Sequence, residues 1–454
     1  VPTDFRAGNS DKPESRHRSD LPDLLDQPAD YTMMPESLVE TFGADIRLPD
    51  GGRRVKRLAD LAPGGAFDPR DLEAVPALDL GYRAKWTVLR YSQYGLDWDI
   101  TGLRLESLDP DARNRPWAII IHGGSANFYE FLVNLDNEAG LGQYLAQKVN
   151  VLLVTIPGNF KYGGWSGPFT KRAPQFLLDT ELPAEEVKLR NALYTNIMQF
   201  AGLKRLILRE TCGDIVLVGH STSGELVYLA HGDPELSKRL KRRFLGWGSG
   251  GPSNLRKEWE ETVGKRERSV AKLAGFPPMW ELRARGSEEY AAYVGPLNSL
   301  AKPGLGALQV AEAWLERESA RRPQFKQPLL DMEHRGMVEL RGRIVSEIRQ
   351  TLTGATVEID LDQVLGDLFA SNDAPLTGYD KMLWSAGKWD QGHWHKTDPE
   401  KARERLVSNQ FRDRNPDIAI RTMVFDMPMT HYGHLEKPRQ LAGFMLETMR
   451  WLAA

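Results

Sequence analysis

Apolar and polar positions change their period repeatedly along this chain, and the changes divide it. Lys85–Gln93 and Trp98–Ser107 alternate apolar with polar and carry β-branched and aromatic residues. They predict two strands, with Tyr94-Gly95-Leu96-Asp97 as the turn between them. Pro116–His122 (PWAIIIH), Val149–Ile156 (VNVLLVTI) and Asp214–Gly219 (DIVLVG) are short continuous apolar runs. Such runs predict strands covered on both faces, as in a parallel sheet flanked by helices. Helical spacing lies between and after them. Leu189, Leu193, Ile197 and Phe200 share one helical face, as do Leu441, Phe444, Met445, Thr448, Met449 and Leu452. Strand and helix in alternation predict right-handed crossovers and a mostly parallel α/β sheet.

The alternation breaks after Arg243–Gly251 (RFLGWGSGG). From about Pro252 to Tyr379 the pattern is helical and charged, for example at Gly306–Arg317 and Met337–Gln350. Thr356–Leu361 is the one weak strand candidate. Strand signals return at Lys381–Ala386 and Ile420–Phe425, with helical spacing at Pro399–Phe411 between them. The expected division is an N-terminal extension (1–81), an α/β core (82–251 and 380–454) and a helical insertion (252–379). Residues 1–20 are polar, with little to bury, and predict a flexible tail.

Composition narrows the function. The chain has 454 residues, and 59 basic against 62 acidic residues leave a formal charge of −3. That balance argues against nucleic acid or an anionic membrane surface as partner. No apolar run approaches the ~18 residues that predict a membrane span. The single cysteine, Cys212, excludes an internal disulfide framework and a multi-cysteine zinc site; it is expected to be a small buried hydrophobe. The expected compartment is the cytoplasm, with a mature periplasmic or secreted chain as the alternative.

The sharpest chemical signal is Gly219-His220-Ser221-Thr222-Ser223-Gly224, which follows a buried strand and opens a helical stretch. A nucleophilic serine must project from a tight strand-to-helix turn. Small residues two before and two after let strand and helix approach. Gly219 meets that demand, and Ser223 stands where glycine is usual. The alternative is a glycine-rich turn with a buried hydroxyl.

With this motif in this place the chain resembles the α/β-hydrolase family, of the serine esterase and lipase kind, over residues 82–251 and 380–454. The resemblance implies an eight-stranded, mostly parallel sheet and a triad in the order serine, acid, histidine. The loop His122-Gly123-Gly124-Ser125 takes the place of the family's oxyanion loop, so the backbone N–H groups of Gly124 and Thr222 are the expected donors. A plain β-turn is the alternative there. His434, in Gly433-His434-Leu435-Glu436-Lys437-Pro438, resembles the family's catalytic histidine, with His431 as second choice. A zinc pair from these two histidines is the competing reading, weakened by the lack of an HExxH or a third ligand, and no metal is expected.

Asp390 ends Gly387-Lys388-Trp389-Asp390 and resembles the family's acid; a turn-capping aspartate is the alternative. Its competitors are Glu258, after the sixth family strand, then Asp426 and Glu225. Gly123, Ser125, His220 and Trp389 stand in or beside these loops, Trp165 ends the Pro157–Trp165 loop after Val149–Ile156 that is expected to form another wall, and these five are the candidate substrate contacts. His393 and His395 lie in the same aromatic loop as Trp389. The implied activity is carboxylic ester hydrolysis through an acyl-enzyme, without a cofactor, on a small to medium ester with an apolar or aromatic group. Amide, lactone or C–C hydrolysis on the same triad is the alternative, as is a catalytically silent binding protein of the same fold.

Overall fold

The computed structural model describes residues 20–26, 31–49, 69–93, 96–123, 128–132, 134, 139–155, 201–230, 234–240, 243–249, 375–376, 378–388, 390, 399–427, 429 and 433–454. The tail before residue 20, the helical face from Leu189 to Phe200, the strand candidate Thr356–Leu361 and nearly all of the expected insertion lie outside them.

The strands are β1 (Tyr31–Pro35), β2 (Tyr82–Gln93), β3 (Leu96–Ser107), β4 (Trp117–Ile121), β5 (Val151–Thr155), β6 (Ile215–His220), β7 (Arg243–Trp247), β8 (Lys381–Gly387) and β9 (Ala419–Asp426). They form one sheet in the order β1-β9-β8-β7-β6-β4-β5-β3-β2. β3 pairs antiparallel with both β2 and β5, and every other pairing is parallel. The predicted turn is tighter than its four residues suggest, since Gln93 already pairs with Leu96.

The continuous apolar runs are strands buried on both faces. Along β4, Trp117, Ile119 and Ile121 join one core while Ala118 and Ile120 join the other. β6 divides likewise, Ile215 and Leu217 against Val216 and Val218. A side-chain period of two sends alternate residues to opposite faces, so helices on both sides turn each run into two half-cores. One face is covered by the helix Gly202–Glu210 through Leu203, Leu206 and Ile207. The other is covered by the C-terminal helix Pro438–Ala453, whose predicted face (Leu441, Phe444, Met445, Thr448, Met449, Leu452) is buried throughout.

The N-terminal extension contributes structure that its composition did not announce. Its strand β1 runs parallel to β9, Met33 opposite Val424, and makes a ninth strand. Leu21, Leu25, Leu38, Val39 and Phe42 enter the same core as the C-terminal helix. Gly43 adopts φ 72° and abuts Gly443, so that a side chain at position 443 would strike the Gly43 backbone. Arg439 Nε donates to the Gly43 carbonyl at 2.7 Å, and Trp451 Nε1 to Asp26 Oδ1 at 3.0 Å.

Two local expectations change. The helical stretch at Pro399–Phe411 is two helices, Pro399–Leu406 and Asn409–Arg414. Ser408 restarts the second, its hydroxyl accepting from the Phe411 N–H at 3.2 Å, a cap that needs a non-helical backbone. Cys212 is exposed, not buried. It sits on a turn where Gly213 takes φ 68°, and Thr211 is the turn residue that goes inside, its hydroxyl donating to the Ile207 carbonyl at 2.7 Å.

A buried carboxylate fastens the β2–β3 hairpin to the core. Glu210 accepts from Thr87 Oγ1 at 2.7 Å and Arg209 Nε at 2.5 Å, and faces Arg104 Nη1 at 3.4 Å. Burial pushes its carboxyl upward, but the bonds from Thr87 and Arg209 and the charges of Arg209 and Arg104 outweigh it and hold it below the ordinary carboxylate range. A group lowered on folding stabilises the fold above its unfolded value, and that contribution fades as pH falls through the folded value. Glu210→Gln should therefore cost about 1.5–3 kcal/mol at neutral pH, the range for hydrogen bonds to a charged group. The gap from wild type in urea melts should narrow below about pH 4, where carboxylates protonate. A gap that widens in acid would contradict this account.

Candidate active site

The chemistry-bearing segments meet at the carboxyl ends of β4, β6, β8 and β9. Ser221 follows the last residue of β6 and opens the tight helix Ser221–Ala230. Its φ is 55°, and among the described residues it alone takes a positive φ without being glycine. A left-handed backbone costs a residue with a Cβ roughly 1–2 kcal/mol, so the surroundings must enforce it. Gly219 shows how: a Cβ there would lie 2.6 Å from the Ser223 carbonyl oxygen. Strand and helix touch across the turn at a distance only glycine permits. Ser221 itself is buried, with 8% of its surface exposed.

That strand, strained serine and helix, set in a mostly parallel sheet with one reversed strand, decide the architecture. The chain has the α/β-hydrolase fold. Strands β2 to β9 supply the eight that the resemblance implied, and β1 is an addition to that sheet.

The loop after β4 closes over the elbow of this α/β-hydrolase fold. Ile121 is the register partner of Gly219, which brings His122 and Gly123 level with His220 and Ser221. A Cβ on Gly123 would fall 2.7 Å from the Ser221 Cβ and 3.0 Å from His220 Nδ1. Backbone alone fits there, against the serine. His122, 1% exposed, sets its Nδ1 at 2.7 Å from the Gly123 carbonyl. A carbonyl can only accept, so this nitrogen carries the proton. Ser223, the residue that departs from glycine, donates its hydroxyl to the His122 carbonyl at 2.5 Å.

His434 is fully buried on the single helical turn Gly433–Glu436 rather than in an open loop. Gly433 permits the approach, since any side chain there would meet the Trp247 ring. The His434 ring lies edge-on to that of His220, with centroids 4.4 Å apart. Phe131 closes the other side at 5.1 Å from His434 and 6.3 Å from His220. The late histidine is thus held against the residue that precedes the serine.

Asp390 follows β8 and is 1% exposed. Its N–H donates to the Gly387 carbonyl at 2.9 Å, which turns the chain inward. Gly387 is required because a side chain there would strike the Met429 backbone beyond β9. Asp426, the competitor on β9, is half exposed and engaged with Lys388 Nζ at 2.7 Å. The two carboxylates at neighbouring strand ends therefore differ, one buried and one at the surface.

Gly124, Ser125, Trp165, Trp389, Glu258, His393, His395 and His431 lie outside the described residues, as do the side chains of Thr222 and Glu225. Among the described residues no three His, Cys, Asp or Glu side chains group as metal ligands, and no helix is long and apolar enough to cross a membrane. Sequence reasoning missed three contributors: Phe131, the His122 ring and the Ser223 hydroxyl. Phe131 carries no motif. Ser223 did leave a signal, since it was the one irregular position in the elbow pattern.

No protein-family model matches the chain, and no curated protein matches it in sequence. Solved structures do resemble it in shape. An epoxide hydrolase from Vigna radiata is 10% identical with a TM-score of 0.40, over 81% of this chain and 98% of that one. A carboxylesterase from Bacillus subtilis is 13% identical with a TM-score of 0.35, over 80% of this chain and 91% of that one. A probable hydrolytic enzyme from Pseudomonas aeruginosa is 14% identical with a TM-score of 0.40, over 80% and 93%.

Proposed function

We infer that this protein is a serine hydrolase that cleaves carboxylic esters, with Ser221 as nucleophile, His434 as base and Asp390 as the acid that orients it. One observation carries the reading: the strained Ser221 at the end of β6, with the buried His434 ring set against the adjacent His220. Strain kept at a single serine where a strand turns into a helix is the mark of a nucleophile elbow. A buried Asp390 at the end of β8, next to the strand that leads to His434, supplies the third role.

In the reaction Ser221 Oγ attacks the ester carbonyl while His434 takes its proton, and His434 then returns that proton to the departing alcohol. Water, deprotonated by the same histidine, releases the acid from the acyl-enzyme. Asp390 holds the imidazole in the tautomer that faces Ser221 and stabilises its charged form. The oxyanion rests on the N–H groups of Gly124 and Thr222. This chemistry calls on no metal or organic cofactor. Residues 252–379 form a helical cap in this reading, and Trp165 and Trp389 suit an apolar or aromatic acyl or alcohol group.

A fluorophosphonate probe tests the reading directly. The folded protein should label at a single site, which peptide mass spectrometry should assign to Ser221. A panel of aryl, alkyl and lactone esters with matched amides then sets the bond type. A folded protein that neither labels nor turns over any ester would instead be a binding protein built on the same scaffold.

A further inference from the structure

We propose that Ser223 is a positioning residue for the oxyanion site, and that its hydroxyl replaces the glycine usual at this place in the elbow for that reason. The proposal deepens the serine-hydrolase reading and rests on it. Its basis is the bond from Ser223 Oγ to the His122 carbonyl, 2.5 Å long with the serine 2% exposed. The bond joins the first turn of the nucleophile helix to the loop after β4, two segments that are 101 residues apart in sequence.

The consequence follows from peptide planarity. Carbonyl and N–H of one trans peptide point in opposite directions within one rigid plane. Holding the His122 carbonyl therefore sets the plane that enters Gly123, the residue whose backbone abuts Ser221 Cβ. The plane leaving Gly123 is held in turn, because its carbonyl accepts from the His122 ring at 2.7 Å. Two bonds thus lock both planes around Gly123. A glycine loop without them samples many conformations at comparable energy, and donors that must reorient during reaction stabilise charge poorly. The Ser223 hydroxyl ties the first turn of the nucleophile helix to the backbone of His122 and Gly123, so a shift of the nucleophile carries that backbone with it.

Positioning of this kind acts on the transition state more than on the bound ester. Removing a whole oxyanion donor costs about 10²–10³ in kcat; loosening the donors should cost less. In Ser223→Ala and Ser223→Gly, kcat on an activated aryl ester should fall about ten- to a hundredfold, with KM within about twofold of wild type. The inhibition constant of an alkyl boronic acid, whose adduct on serine is tetrahedral and anionic, should rise by the same factor as kcat/KM falls. Ser223→Gly is the sharper variant, since it restores the usual elbow pattern and yet should be slower. Thermal melts show that each variant is folded. Unchanged kcat in both folded variants overturns the proposal, and so does a loss of kcat with unchanged boronate affinity. A wild-type protein that shows neither labelling nor turnover overturns the hydrolase reading itself, and the proposal with it.

Discussion

Ser221→Ala is expected to abolish ester turnover, by on the order of 10⁴–10⁶ in kcat, while leaving the fold in place. The size comes from the way a triad works as a unit: once the nucleophile is gone, only binding and the oxyanion donors remain to accelerate the reaction. The fold should persist because alanine keeps the Cβ that Gly123 abuts and removes only the hydroxyl, while the contacts of Gly219 and Ser223 at the elbow are untouched. The backbone strain at φ 55° remains in the alanine variant but is relieved in Ser221→Gly, where a left-handed residue costs little. That second variant should be equally inactive, with a melting temperature at or above wild type. Stability retained with activity lost would identify Ser221 as a place where strain is held for chemistry. Either variant keeping more than about a tenth of wild-type kcat, well above what loss of a nucleophile allows, would remove Ser221 from the mechanism.

Asp390→Asn should lower turnover by about 10⁴ and leave the protein folded, because the substitution is nearly isosteric and keeps the backbone bond to Gly387. The loss has a specific origin. A carboxylate accepts from the imidazole and holds the proton on the ring nitrogen that faces it, leaving the nitrogen toward Ser221 free to act as base, whereas an amide can present its own N–H and favour the wrong tautomer. Depth matters here. Asp390 is 1% exposed, and a buried carboxylate is stable only where something polar or cationic compensates it. Asp426 cannot take the role without abandoning Lys388 at the surface, so Asp426→Asn should leave kcat within about twofold, as a surface ion pair contributes little. If Asp390→Asn proves harmless while Glu258→Gln is crippling, the acid follows the sixth family strand instead.

Most of the architecture was legible in the chain. Continuous apolar runs can be buried only between two layers of helices, which makes a parallel sheet close to obligatory. The elbow was legible too, because its constraint is local: six consecutive residues must turn a strand into a helix within a few ångströms. The order serine, acid, histidine then restricted the partners to a few positions. β1 was not legible. Tyr31–Pro35 is short and ends in proline, and it becomes a strand only because β9 offers an open edge and Gly43 can lie on Gly443. Cys212 was misjudged because its burial depends on the turn made by Gly213, not on its own polarity.

What sequence determined by itself was thus whatever depends on neighbours in the chain: the strand and helix periods and the tight strand-to-helix turn at Ser221. Tertiary structure alone decided which carboxylate is buried and which is tied to a surface lysine, that His434 stands edge-on to His220, and that Ser223 reaches the His122 carbonyl. These depend on distances between segments up to a few hundred residues apart. Such distances are set by how the layers pack, and no pattern confined to one segment records them.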